Sequence, residues 1–425
     1  MQINSKYKMR NNTKIKPELI APAGNLEKMK TAFAFGADAV YLGIPDFSLR
    51  VRVNDFTLAG IAKAVEYAHG VRKKVYATVN IFAHNKHLKK LPGHIRELRK
   101  IGVDGLFISD PAVLFEVKRI WPKAKIILST QANCTNWQAA KFWLKEGVKR
   151  IILSRELSLE EIKEIKKRVP KLELECFIHG ALCTAYSGRC FLSKYFNDRN
   201  ANLGDCSQPC RWNYFISAEN HETLELVEEK HGSYLLNSKD LCLVKKVPEL
   251  IKAGISAFKI EGRAKSVYYL ANVVGAYRKA IDLTSGKIKG GILKKELNFL
   301  YKELEEKLYH RGYTKGFMFG EGETAQNLDN SHKIPEWEFC GQVVSQFSNV
   351  KGQLSIKVHN TMRVGDEIEI IRPSYDIIRL KLKKMINAEN GKEIAEAHGG
   401  GSEDVVFLEI KQDVPEYSVA RRRMT

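Results

Sequence analysis

The sequence predicts a (β/α)8-type barrel over residues 1–330, followed by a small all-β barrel domain over 335–425. Three observations carry this reading. A helix-ending glycine followed by a short apolar run recurs through the first part of the chain. No Gly-rich phosphate loop follows the first of these runs. After Pro335 the texture changes to short alternating segments divided by turns. A chain of 425 residues also exceeds what one hydrophobic core usually serves, which suits a large domain plus a smaller one.

The recurring phrase appears as Gly36-Ala37-Asp38-Ala39-Val40-Tyr41, Gly70-Val71-Arg72-Lys73-Lys74-Val75 and Gly102-Val103-Asp104-Gly105-Leu106-Phe107. It returns as Gly147-Val148-Lys149-Arg150-Ile151 and Gly254-Ile255-Ser256-Ala257-Phe258. Glycine suits the left-handed cap that ends a helix, and the apolar run reads as a buried parallel strand. The first four copies lie about 30 to 45 residues apart, one βα unit each. Helix starts agree: Asn25 is placed to cap a helix at Leu26, and Ser158 with Glu161 forms a capping box.

This alternation implies a parallel sheet joined by right-handed crossovers. A doubly wound open sheet would show GxGxxG after its first strand, whereas Ala21-Pro22-Ala23-Gly24-Asn25 stands there. A closed barrel puts its active residues at the C-terminal ends of the strands. Those ends carry Asn80, Asp110, Thr130 with Gln131, Arg155 with Glu156, His179, Asp240, and Lys259 with Glu261 and Arg263. A helix from about Leu293 to Leu308 completes the domain, and the polar stretch 320–333 reads as a linker. Beyond it, strands are expected at 341–345, 354–358, 366–371 and 405–410, with turns at Asn349 to Gly352 and at Asn390-Gly391.

Hydrophobic residues make up 44% and charged residues 28% of the chain, ordinary values for a globular protein. The opening MQINSKYKMRNNTKIK is basic and polar, and no apolar stretch is long enough to cross a bilayer. A cytoplasmic protein without a membrane partner is expected. The net charge is +20, yet residues from Pro335 onward hold 13 basic and 14 acidic groups, so residues 1–334 carry about +21. Such a basic domain suggests a polyanionic partner, nucleic acid first. The C-terminal part still has a local basic group in Arg379, Lys381, Lys383, Lys384, Arg421, Arg422 and Arg423.

Eight cysteines in a cytoplasmic chain are not expected to be disulfide staples. Cys134 and Cys340 stand alone and read as small buried hydrophobes. Cys176, Cys183, Cys190, Cys206 and Cys210 crowd into one stretch, and Cys242 follows soon after. Soft thiolates match iron or zinc, and four of them close an iron–sulfur cubane. The spacing is neither the ferredoxin run nor a paired CxxC zinc site, so spacing alone leaves both metals open.

The stretch 175–193, Glu-Cys-Phe-Ile-His-Gly-Ala-Leu-Cys onward to Ser193, resembles the signature of the U32 family, long called peptidases. Leu19-Ile20-Ala21-Pro22-Ala23-Gly24, Lys259-Ile260-Glu261-Gly262-Arg263 and His310-Arg311-Gly312-Tyr313 also resemble that family, and the likeness spans nearly all of 17–320. Within it, the chain looks most like the prephenate-dependent tRNA uridine 5-hydroxylases, which form 5-hydroxyuridine at the wobble position without oxygen. Relatives hydroxylate ribosomal RNA or ubiquinone precursors. The resemblance implies a barrel, a [4Fe-4S] cluster, prephenate as co-substrate and tRNA as partner. Cluster ligands carry over to Cys183, Cys190, Cys206 and Cys242, with Cys210 a rival for the third position and Cys176 a packed neighbour. The C-terminal region resembles the β-barrel of longer members.

Several side chains then acquire expected roles. Arg155, Arg189, Arg211 and Arg263 offer planar forks for carboxylates, and Lys259 joins them as a substrate-binding cation. His179 is expected either to move a proton near neutral pH or to order the cysteine loop. Glu261 reads as an acid, a base or a partner of Arg263. Tyr186 and Trp212, beside Arg189 and Arg211, suit stacking on an extruded base. The family label leaves a collagenase-like metallopeptidase as the alternative, although the chain has no HExxH helix motif.

Overall fold

Buried apolar runs form the first strands in chain order: β1 (Glu18–Pro22), β2 (Ala39–Gly43), β3 (Lys74–Val79), β4 (Gly105–Ile108), β5 (Ile126–Leu128), β6 (Arg150–Ile152) and β7 (Glu173–Ala181). In this computed structural model, residues 16–49, 55–212, 236–286, 288, 290–320, 326–327, 332–344, 353–400 and 404–424 are described. The seven strands pair in parallel with their sequence neighbours. After β8 (Asp240–Cys242), β9 (Ala257–Ile260) pairs in parallel with both β7 and β1, and so closes an eight-stranded barrel. Ile20 and Phe177 flank Lys259 from the two sides.

Between the strands run α1 (Leu26–Ala34), α2 (Leu58–Gly70), α3 (Asn85–Leu88), α4 (Leu91–Ile101), α5 (Pro111–Ile120), α6 (Trp137–Lys145) and α7 (Leu159–Arg168). Asn25 caps α1 by accepting from the Lys28 amide at 3.0 Å, and Ser158 with Glu161 makes the expected box at α7. Asp110 is taken up as the cap of α5, bonded to the Ala112 amide at 2.8 Å, which keeps its carboxylate out of the barrel mouth. Four of the expected glycines end helices in the left-handed region; at α2 that conformation falls on Arg72 instead of Gly70.

One strand-end assignment is corrected. Asp240 does not end a barrel strand: β8 runs antiparallel to β7, with Cys242 opposite His179. The nine-residue β7 outruns the other barrel strands, and its exposed edge beyond the barrel accepts β8 and then β10 (Tyr313–Thr314). Asp240 is buried and ion-paired to Arg311 of the His310-Arg311-Gly312-Tyr313 segment, a structural role.

The cysteine region contains the short α8 (Leu192–Asn197); α9 (Val247–Lys252), α10 (Val267–Ser285) and α11 (Gly290–Lys307) complete the first domain. The second domain is an antiparallel half-barrel of β11 (Trp337–Val343), β12 (Gln353–Val358), β14 (Glu367–Ile371), β15 (Ile377–Lys381), β16 (Met385–Asn387), β17 (Glu393–Ile394), β19 (Val405–Glu409) and β20 (Val419–Arg423). A two-stranded piece pairs β13 (Thr361–Arg363) with β18 (Glu396–His398). Ile356, Met362, Ile370 and Val406 belong to its own core. The turn expected at Asn349 to Gly352, and Ser345, lie outside the described residues.

The two domains share a polar and apolar seam. Tyr375, Ile371 and Val419 pack into the barrel-side core, and the ring of Tyr268 stacks on Phe339 at 5.3 Å. Arg421 is fully buried between Glu303 of α11 and Glu369 of β14. The basic group expected in this domain is therefore largely neutralised: Arg422 pairs with Glu338, Arg423 with Glu336, Arg379 with Glu369 and Lys384 with Glu393. Among the described residues no helix is long and apolar enough to cross a membrane.

Candidate active site at the barrel mouth

The C-terminal ends of the barrel strands surround a cavity of about 600 Å³. Aromatic rings of Tyr41, Phe107 and Phe177 form part of its wall, while Lys259, Arg155 and Arg263 bring positive charge. That composition, mostly apolar with a few convergent polar groups, suits a small ligand or an inserted base. Lys259 is buried with its Nζ over the rings of Tyr41 and Phe107, 3.8 and 3.6 Å from their centroids. Burial pulls its pKa down to about 7, against the pull of Glu175, whose carboxylate is 3.4 Å away.

Glu175 belongs to a line of charges down the barrel axis that sequence reading did not isolate. Arg150 reaches Glu175 at 3.3 Å, Glu18 at 2.6 Å and Glu173 at 2.8 Å. Charged residues inside otherwise apolar strands were the available signal, since such groups are buried only when paired. The line links the closed end of the barrel to the cavity floor.

Arg263 is buried and donates to Ser48 Oγ at 3.2 Å and to the Leu49 carbonyl. Arg155 donates to the Ala181 carbonyl at 2.6 Å and stacks on Phe177 at 3.9 Å. Arg189 lies outside the cavity lining, exposed on the rim, and donates to the Gln131 carbonyl at 3.0 and 2.6 Å. Glu261 borders the cavity just beyond β9. Its backbone carbonyl accepts from the Tyr269 hydroxyl at 2.9 Å. Lys259, Glu261, Arg263 and Arg155 thus share one cavity.

His179 does not line it. Parallel pairing sets Phe177 beside Lys259 and His179 beside Ile260, a bulge that turns His179 out of the alternation and away from the lumen. Its ring enters a buried box of Tyr269, Tyr277 and Tyr313, with centroids 5.9, 5.6 and 5.3 Å away. Burial lowers its pKa to about 3, so the ring is neutral at physiological pH.

The segment after β7 is held by a carboxylate that sequence reading placed only as a strand-end residue. Glu156 accepts from the Ser187 amide at 2.6 Å and its hydroxyl at 2.7 Å, fixing Ser187 in a left-handed conformation at φ 46°. A non-glycine residue persists there only when its surroundings over-determine it. Cys183, exposed, lies on the cavity wall. Burial raises the Cys190 and Cys210 thiols, and each also feels Cys183 and Cys206. The Leu192 amide donates to Cys190 Sγ at 3.4 Å, and the Ser193 hydroxyl to Cys206 Sγ at 3.8 Å. Cys242 is buried on β8 with the Tyr277 hydroxyl 4.0 Å from its sulfur, and burial pushes its thiol up to about 12. Among the described residues no three His, Cys, Asp or Glu side chains are gathered tightly enough for a single ion. An all-sulfur set with donors aimed at the sulfurs does fit an iron–sulfur cluster, which spreads its thiolates over several irons.

Both domains are similar to known proteins. The sequence model of peptidase family U32 matches residues 24–328, and that of the peptidase family U32 C-terminal domain matches residues 335–421. The tRNA hydroxylation protein P of Haemophilus influenzae is 39% identical over an alignment of 449 residues, covering 95% of each chain. The tRNA hydroxylation protein P of Escherichia coli is 38% identical, covering 94% of this chain and 95% of its own. The tRNA hydroxylation protein P1 of Bacillus subtilis is 38% identical over 363 residues, 85% of each chain. With both matched regions lying in the order of the two folded domains, the chain belongs to peptidase family U32.

Proposed function

We propose that this protein is a tRNA hydroxylase that converts uridine to 5-hydroxyuridine at the wobble position, with prephenate as co-substrate and a [4Fe-4S] cluster as cofactor. One observation carries the reading: a cavity large enough for a small ligand and a base has three cations, two carboxylates and the exposed thiol of Cys183 in one lining. The names of relatives spanning nearly the whole chain support tRNA as the substrate.

In this reading Arg155, Lys259 and Arg263 hold the carboxylates of prephenate, and Arg189 on the rim meets RNA phosphate. Glu261 exchanges a proton at the cavity edge. His179, neutral and boxed by tyrosines, positions the β7–β8 wall. The cluster, held by Cys183, Cys190, Cys206 and Cys242, supplies electron transfer when bound. Cys210 is the rival ligand, because it shares the electrostatic neighbourhood of Cys183 and Cys206.

The test is nucleoside mass spectrometry of tRNA from a deletion strain complemented with wild type, Cys183→Ala or Arg263→Ala, with iron measured on each anaerobically purified protein. Wild type restores 5-hydroxyuridine derivatives. Cys183→Ala restores none and loses iron. Arg263→Ala keeps iron and loses activity tens- to thousands-fold, as roughly 2–5 kcal/mol for a buried charge pair implies. Iron retained in Cys206→Ala but lost in Cys210→Ala reassigns the third ligand. Normal 5-hydroxyuridine in the deletion strain, without a second copy of the gene, overturns the proposal.

A further inference from the structure

The segment that carries the cysteines also carries large rings that no core covers. Phe191 is 63% exposed and Tyr195 82%, and Tyr186, Phe196, Trp212 and Phe317 are each about half exposed. Monomeric proteins seldom leave so many rings together on one rim, and such a patch marks an interaction site. Tyr186 and Phe317 line the cavity. The others stand on or beside α8, which is tied to the barrel mouth. The Cys190 amide bonds to Asn202 Oδ1 at 3.2 Å, and the Phe82 amide just past β3 bonds to the Asn202 carbonyl at 3.2 Å.

The rings are spaced, not packed into one apolar mass. Phe191 and Tyr195 lie 6.4 Å apart and tilted by 56°, and Phe196 and Trp212 lie 5.9 Å apart and tilted by 59°. Charged side chains alternate with them along the chain: Lys194 paired with Asp198, and Arg199 paired with Asp205 at 2.8 Å. Arg189 adds an exposed guanidinium 5.4 Å from the Phe82 ring. Rings interleaved with charge on a domain of net charge about +21 match single-stranded nucleic acid, whose bases each offer a face for stacking. A protein helix or a second copy of the chain would seek continuous apolar surface instead.

We propose that the rings of Phe191 and Tyr195, with Tyr186 and Phe317 at the cavity mouth, form a stacking collar for unpaired RNA nucleotides flanking the base that enters the cavity. The collar deepens the tRNA reading and rests on it. It selects loops over helices because paired bases present no free faces. The phosphate attraction of the basic domain is indifferent to pairing.

The test uses the full chain and two fluorescent RNAs of equal phosphate count, a stem with an unpaired seven-nucleotide loop and a blunt duplex, compared at fixed salt by anisotropy. Tyr195→Ala and Phe191→Ala each weaken loop binding by roughly fivefold or more, the low end for loss of one base–ring stack. Duplex binding and its salt dependence stay as in wild type. Tyr195→Phe restores loop affinity, because stacking needs the ring and not the hydroxyl. Unchanged loop affinity in both alanine variants overturns the collar, and so does an equal loss on loop and duplex. An oligomer in sedimentation that Tyr195→Ala dissociates overturns it too, by assigning the rings to a second copy. A wild-type chain that binds neither RNA overturns the tRNA reading itself, an outcome distinct from any that concerns the rings alone.

Discussion

Lys259 and His179 sit at the ends of adjoining strands and face opposite ways. Both are legible as strand-end polar residues, yet orientation depends on a bulge between Phe177 and His179 that no local pattern announces. The consequence for Lys259 is electrostatic. Its pKa, lowered to about 7 by burial, lies well below the usual value near 10.4. Between about pH 7 and 10 the folded protein therefore binds fewer protons than the unfolded chain, and stability rises with pH as the penalty on the charged amine fades. Urea melts across that window should show a rise of up to about 1.4 kcal/mol per pH unit from this residue. Lys259→Met should flatten that part of the rise while Arg150 still partners Glu175. Parallel curves for the two proteins would mean that Glu175 keeps the amine charged throughout.

At the scale of elements, β7 decides the shape of the site. Its length lets it close the barrel with β9 and then continue outward to receive β8. Gly180 lies where both demands meet, at φ +105° and close against β9's continuation. A Cβ there would stand 2.6 Å from the Glu261 carbonyl oxygen, which is backbone and cannot swing aside. Gly180→Ala should cost about 1–3 kcal/mol from backbone strain alone, read as a lower urea midpoint with an unchanged slope. A variant as stable as wild type would show that the approach of the two strands is loose. Helix ends were easier to read, because a cap such as Ser158 with Glu161 is complete within four residues. The antiparallel β8 was harder: three residues hold no periodicity, and their direction comes from the free edge of β7.

On the scale of the whole molecule, Arg421 fastens the half-barrel to the barrel. Its guanidinium, fully buried, meets Glu303 of one domain and Glu369 of the other. Removing one partner of such a group strands the remaining charges in a dry seam, which typically costs 3–5 kcal/mol. Arg421→Met should therefore lower the melting temperature clearly and separate the unfolding of the two domains in calorimetry. A single transition at the wild-type temperature would show that the apolar contacts of Tyr375 and Val419 hold the seam unaided. Arg421 had looked like part of a basic surface, since a run of three arginines reads as solvated. Tertiary packing gave each of the three an acidic partner from outside β20.

The closed parallel barrel, a small all-β domain after it, the family, and the cation-bearing end of β9 were all legible in the order of the amino acids. These follow from periodicity, capping and ordered motifs, which are local or linear properties of the chain. Tertiary structure alone decided that Lys259 faces the lumen and His179 a tyrosine box. It also decided that Asp240 serves Arg311, that Glu156 holds the cysteine loop, and that Cys242 is buried beside Tyr277. The direction of a side chain and the partner of a charge depend on which distant strands meet, and that is fixed only when the barrel closes.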